Sequence, residues 1–206
     1  WHVEFDPRPH KAEMLNRPLL DTTYCLASTC NKNLFDKLTF HKVLLWHAMG
    51  SEPSEDCEAV CQEESDDGIL LVGGSNAGLR ALSVGYTLGF RRFDLFGLDC
   101  SYADDGATWA GEHTGKPHSK LKVECDGKQF FTSDVMINAA EELFDWLGRV
   151  KDCEVRIFGE SLFAARMKLF QRDPERGRSR WGKPVDFELA RARIFPNVQE
   201  TKKLIS

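Results

Sequence analysis

Short apolar runs alternate along the chain with stretches whose apolar residues recur every three or four positions, the layout of parallel strands joined by crossover helices. The runs HVEF (2–5), TYCLAS (23–28), KVLLWH (42–47), ILLVG (69–73), FDLFGL (93–98) and EVRIF (154–158) predict strands. Between them, NKNLFDKL (31–38), SNAGLRALSVGYTLG (75–89), SDVMINAAEELFDWLGRV (133–150) and ESLFAARMKLF (160–170) predict helices. The third helix has the clearest pattern: Ser133 or Asp134 caps it, and Val135, Ile137, Ala140, Leu143, Phe144 and Leu147 supply an inward face. In KVECDGKQFFT (122–132), Asp126-Gly127 suits a tight turn between two short strands.

Three segments break this rhythm. Residues 51–68 are strongly acidic and read as a solvated helix or loop. Residues 99–121 are polar and glycine-containing, and a loop of that length inside a compact domain is usually functional or mobile. The tail from Gln171 is arginine-rich and interrupted by Pro174, Pro184 and Pro196, a docked or mobile extension. The expectation is one α/β domain over residues 1–170, with a mostly parallel Rossmann-like sheet, helices on both faces and a small β-hairpin, followed by an extension over 171–206.

Composition narrows the function classes. A chain of 206 residues, 42% hydrophobic, fills one core comfortably. A net charge of -5 gives no broad basic surface of the kind that draws nucleic acid by counterion release, so no nucleic-acid partner is expected. No window approaches the roughly 20 consecutive apolar residues a membrane span needs, and no secretory signal opens the chain; a cytoplasmic protein is expected. Seven cysteines without a repeated CxxC spacing read as reduced thiols rather than a zinc site. The oligomeric state is not legible.

In parallel α/β sheets, ligands collect beyond the carboxyl ends of the strands. After ILLV come Gly73, Gly74, Ser75 and Asn76, small residues that either cradle an anion at the start of a helix or simply allow a tight turn. GGSNAG is neither a P-loop nor the dinucleotide fingerprint. Asp99 ends the GLD strand and Asp6 follows the first strand in FDPRP; each suits a hydroxyl, a metal-bound water or a local cap. His113 and His118 lie with Lys116 and Lys120 in the long polar loop, where imidazoles carry protons near neutrality. His47 closes KVLLWH at the same rim.

The segment GGSNAGLRALSVGYTLGFRRFDLFGLDCSY, with FDPRP, LAST (26–29) and EHTGKPH, resembles the domain shared by archaeal 6-hydroxymethylpterin diphosphokinases (MptE-like) and bacterial Maf flagellin glycosyltransferases. It is also similar to the corresponding part of bacterial sialyltransferases that use CMP-activated sugars. The resemblance covers residues 1–170 and implies a Rossmann-like, nucleotide-dependent transferase acting on a small-molecule or glycan acceptor. By motif match it makes Gly73, Gly74 and Ser75 donor-binding residues, Asp99 a rim residue of the active site and Asp6 a residue of the opposite lip; together with the residues read above, the candidates are Gly73, Gly74, Ser75 and Asn76 for the nucleotide, Asp6, Ser28, His47 and Lys116 for the substrate, and Asp99, His113 and His118 for catalysis. Family members open with a strand and a glycine-proline-serine loop, and Trp1 is expected to lie downstream of it. The sialyltransferases also place a histidine just before the helix that here begins near Ser133; FFTSDV has none, which leaves that role to His113 or His118.

Two reactions stay open. Diphosphate transfer from ATP to a pterin-like alcohol needs Mg²⁺ with the nucleoside triphosphate, held by carboxylates such as Asp99 and Asp104. Glycosyl transfer from a CMP-sugar needs no metal, only a base for the acceptor and support for the departing phosphate. A catalytically silent nucleotide or sugar-phosphate binding module is the alternative.

Overall fold

The computed structural model describes residues 1–48, 70–71, 74–103, 121–150, 152–172 and 192–195, and divides the chain into two compact units, 1–89 and 90–206. The first unit runs β1 (His2–Glu4), α1 (His10–Met14), β2 (Thr23–Ala27), α2 (Lys32–Lys37), β3 (Lys42–Ala48), β4 (Leu70–Leu71) and α3 (Ala77–Thr87). Its four strands are parallel, in the order β1-β2-β3-β4. The second unit runs β5 (Arg92–Phe96), β6 (Leu121–Cys125), β7 (Lys128–Thr132), α4 (Asp134–Leu147), β8 (Glu154–Phe158), α5 (Leu162–Arg172) and β9 (Ala192–Phe195). Here β5-β8-β9 form a parallel sheet and β6-β7 an antiparallel hairpin. The expected class, Rossmann-like α/β with a small hairpin, is the class observed. Among the described residues, no helix is long and apolar enough to cross a membrane.

Local chemistry sets the element boundaries. Asn31, Asn76 and Ser133 cap α2, α3 and α4, accepting from the amides of Asn33, Leu79 and Met136 at 3.0, 3.0 and 3.3 Å. At the hairpin turn, Asp126 and Gly127 both take left-handed conformations, φ 55° and 73°, which match the twist of the flanking strands.

In the first unit, β2 is an internal strand and buries four consecutive residues, Tyr24 to Ala27. Continuous burial of this kind marks a parallel strand covered on both faces. On β3 only one face is covered: Trp46 is buried with Leu44 and Ala48 packed against the same core, while Val43 and Leu45 are exposed. Leu34 and Leu38 close the core with Val84 of α3 and Ala12 of α1.

In the second unit, Phe93 meets Trp146 of α4 edge-on at 5.8 Å, and Phe144 meets Phe163 of α5 at 5.6 Å. A second cluster joins Cys125, Leu162 and Ala165, with Phe130 and Ile137 packed on it. The α4 face differs from its expected form at one end. Val135 is 56% exposed, and burial on this face begins one turn later, at Ala139. The segment read as an extension contributes β9, which pairs with β8 from Val155↔Ala192 to Phe158↔Phe195.

Candidate functional site

The carboxyl edge of the first unit's sheet holds several of the expected residues. Asp6, two positions beyond β1, is clamped by Arg8, whose Nε lies 2.8 Å from Oδ1, and Lys11 stands 3.6 Å away. The Arg8 hydrogen bonds, aided by the Arg8 and Lys11 charges and opposed by partial burial, hold the Asp6 carboxyl well below the ordinary carboxylate range. Sequence reasoning took Asp6 as a substrate-binding residue and missed both cations. The spacing Asp-x-Arg after a strand end was the available signal.

Ser28 and His47 come together. The parallel register pairs Ala27 with Trp46, and the next step brings the Ser28 amide to Trp46 O at 2.8 Å. Ser28 Oγ and His47 Nδ1 then lie 3.0 Å apart on the same face. A hydroxyl in contact with an imidazole is an arrangement through which a proton can pass, and the ring's Nε2 is its second donor or acceptor atom. The loops after β1 and β2 are tied by Thr29 Oγ1 donating to Phe5 O at 3.2 Å.

The start of α3 completes this edge. Gly74 and Ser75 lead to Asn76, whose side chain answers the amide of Leu79, and the first turn of a helix leaves further N–H groups without intrahelical partners. Arg80, one turn on, is 7% exposed; its Nη1 lies 3.4 Å from Leu71 O and its guanidinium 5.6 Å from the Phe5 ring centroid. This buried cation adds positive charge behind the helix start, and sequence reasoning did not find it. Gly73 lies outside the described residues.

In the second unit, Asp99 follows β5 in a tightly fastened turn. Cys100 takes a left-handed conformation, φ 55°, uncommon for a non-glycine residue. Its carbonyl accepts from Thr132 Oγ1 at 2.9 Å, and the Tyr102 amide donates to Phe131 O at 2.7 Å. The Asp99 carbonyl accepts from the Phe163 amide at 3.2 Å, and Ser101 Oγ from the Leu162 amide at 3.3 Å. The first amides of α5 are thereby satisfied, Ala164 by Ser161 Oγ.

The Asp99 carboxylate itself accepts no hydrogen bond among the described residues. A Cβ at Gly159 would stand 3.9 Å from its Oδ1, which places the group over the end of β8. Burial pushes its carboxyl up. An acid whose folded value exceeds its unfolded one costs stability once deprotonated, and stability falls as pH rises from the unfolded value through the folded one. Asp99→Asn is therefore expected to stabilise the protein at neutral pH. In thermal melts across pH, that gain should vanish below the unfolded carboxylate value; a pH-independent change would show that desolvation of Asp99 is not its source.

Asp104, His113, Lys116 and His118 lie outside the described residues. No group of three or more metal-binding side chains occurs among the described residues. Cys25, Cys30, Cys100, Cys125 and Cys153 are free and buried. Burial, reinforced by the Asp99 charge, pushes the Cys100 thiol up to about 12, so it is an inert core group.

Among solved structures, the fold is similar to that of the Maf glycosyltransferase from Magnetospirillum magneticum AMB-1, with a TM-score of 0.51 and 14% identity over 75% of this chain. The chain spans 24% of that protein's length, and the likeness is one of fold. No family model matches the sequence. No curated protein matches it either.

Proposed function

We propose that the protein binds a nucleotide-activated sugar and transfers its glycosyl group to a hydroxyl acceptor. The observation that carries this reading is the composition of one sheet edge: a capped helix start backed by buried Arg80 stands in the same unit as the Ser28–His47 couple. The first part suits a phosphate ester and the second suits a proton in transit. The neighbour's name, Maf glycosyltransferase, supports transfer of a sugar over other nucleotide chemistry.

Gly73, Gly74, Ser75 and Asn76 would grip the donor phosphates. Within the first unit, Asp6, Ser28 and His47 would line the acceptor side; Asp99, a residue of the second unit, is a further catalytic candidate. As the acceptor oxygen bonds to the anomeric carbon, the bond from that carbon to the donor phosphate breaks, and the nucleotide leaves with the electron pair. The acceptor proton passes to one of the imidazoles. Asp99→Asn should suppress turnover more than it weakens donor affinity; unchanged turnover removes Asp99 from the site.

Thermal shift with ATP, CTP, CMP and GDP, with and without Mg²⁺, tests the reading. Metal-independent stabilisation by CMP or GDP is expected. Stabilisation by a triphosphate that requires Mg²⁺ would select diphosphate transfer to a pterin-like alcohol, with Asp99 and Asp104 as metal ligands. Binding without turnover of any nucleotide sugar would select the silent module, and no stabilisation would remove all three.

A further inference from the structure

Asp6 is a covered carboxylate and Arg8 an open cation: their side chains are 12% and 66% exposed. Asp6 Oδ1 accepts from the Arg8 amide at 3.0 Å and from Arg8 Nε at 2.8 Å, while Oδ2 accepts from Nε at 2.9 Å and from Nη2. The carboxylate thus holds the side edge of the guanidinium, the one made by Nε and Nη2. Arg8 Nη1 has no hydrogen-bond partner among the described residues. With the outer N–H of Nη2 it forms an end edge shaped for the oxygens of a second anion.

The backbone supports the same geometry. Pro7 and Pro9 flank Arg8 in FDPRP; the first fixes its own φ and the second confines Arg8 to extended or turn backbone. Lys11 stands 3.6 Å from Asp6 Oδ2, so Asp6 lies between two cations and the trio keeps a positive charge. Glu4, the other carboxylate of this segment, is turned to the main chain, its Oε1 accepting from the amides of Phe5 and Asp6 at 3.0 Å each. The loop is also fastened to both parts of the sheet edge. The Phe5 ring centroid, one residue before Asp6, lies 5.6 Å from the guanidinium of Arg80 in α3, and Phe5 O receives the hydroxyl of Thr29, the neighbour of Ser28, at 3.2 Å. All of these residues belong to the unit 1–89.

We propose that Arg8 receives the phosphate of the departing nucleotide, and that Asp6 is a positioning residue that acts through Arg8. As the bond from the anomeric carbon to the phosphate oxygen breaks, the electron pair leaves with that oxygen. A guanidinium edge already fixed beside it is stabilising where that charge grows. Asp6 itself, covered by its own clamp, offers no open oxygen edge to a hydroxyl or a metal ion. Lysine in place of Arg8 would not serve, because one ammonium lacks the planar fork that faces two anions on two edges. The assignment deepens the donor-binding reading above and rests on it for the presence of a phosphate.

Calorimetric titration of the full chain with CMP and with cytidine tests it, using Arg8→Ala, Arg8→Lys, Asp6→Asn and the double variant Asp6→Asn/Arg8→Ala. The parent protein should bind CMP more tightly than cytidine. Arg8→Ala should weaken CMP about tenfold and leave cytidine unchanged, and Arg8→Lys should recover only part of that loss. Asp6→Asn should weaken CMP too, yet the double variant should bind it no more weakly than Arg8→Ala alone, because Asp6 has no effect except through Arg8. CMP affinity unchanged in Arg8→Ala would overturn the assignment, and the cradle before α3 would still stand if Gly74→Val abolished binding. Additive losses in the double variant, or equal losses of CMP and cytidine, would overturn it by giving the pair a role in loop packing. Full recovery in Arg8→Lys would overturn the two-edged geometry. A parent protein that bound CMP no better than cytidine would overturn the assignment together with the donor-phosphate reading.

Discussion

Gly74→Val should abolish binding of the donor nucleotide while the first unit stays folded. Gly74 is the described residue at the mouth of the turn into α3, two positions before the Asn76 cap. An anion at a helix start is held by backbone N–H groups, and their reach is short: a donor distance of about 2.9 Å leaves no room for a branched side chain between amide and ligand. A valine adds two methyl groups where the phosphate would stand and restricts the backbone that has to wrap it. The packing of α3 depends on residues further along, Leu79, Leu82 and Val84, which are buried independently of the turn. Calorimetric titration of CMP together with a melting curve separates the effects. Lost binding with an unchanged melt supports the cradle; parallel loss of both would assign the small residues to packing alone.

What the sequence showed, and what it hid, follows from how local each feature is. Asp126-Gly127 announced its hairpin because the turn needs two left-handed residues in a row, and only a few residue types supply them. The cap at Ser133 was readable for the same reason, since the capped amide lies only three residues on. The five-residue helix α1 was not, because it buries one side chain, Ala12, and so leaves no periodic trace. Strand β9 was hidden by distance: its partner β8 ends 34 residues before it begins, and nothing in ARIF names that partner.

The site divides in the same way. Ser28 and His47 were each visible as rim residues, but their contact depends on the register of two strands and spans 19 positions. Arg80 reads in the sequence as one more polar residue on an amphipathic helix, and only packing turns it into a buried cation under the turn. Phe96 is the instructive case: the alternation of RFDLF already placed it in phase with Arg92 and Asp94. The stacking of its ring on Phe158, 62 positions on, depends on the register of β5 and β8 and leaves no local trace.

Trp46→Ala should destabilise the first unit by about 3–5 kcal/mol, the range for removing a large buried aromatic. Trp46 is wholly buried and ranks first by volume among the fully buried side chains, on the covered face of β3 beside Leu44 and Ala48. That loss is comparable to the net stability of a small domain, so the variant should be partly unfolded at ambient temperature. Trp46→Phe should be far milder than the change in volume suggests. The indole Nε1–H is buried with no hydrogen-bond partner among the described residues, and phenylalanine removes that donor together with the lost ring. Both variants keep the Trp46 carbonyl that anchors the Ser28 amide, so the Ser28–His47 contact follows the folding of β2 and β3 rather than the side chain itself. Urea unfolding followed by circular dichroism, with amide exchange of β2 and β3, gives both readouts. Comparable losses in the two variants would show that Trp46 acts through its indole N–H rather than its bulk, and protection of the Ser28 amide that survives Trp46→Ala would detach the couple from the core beneath it.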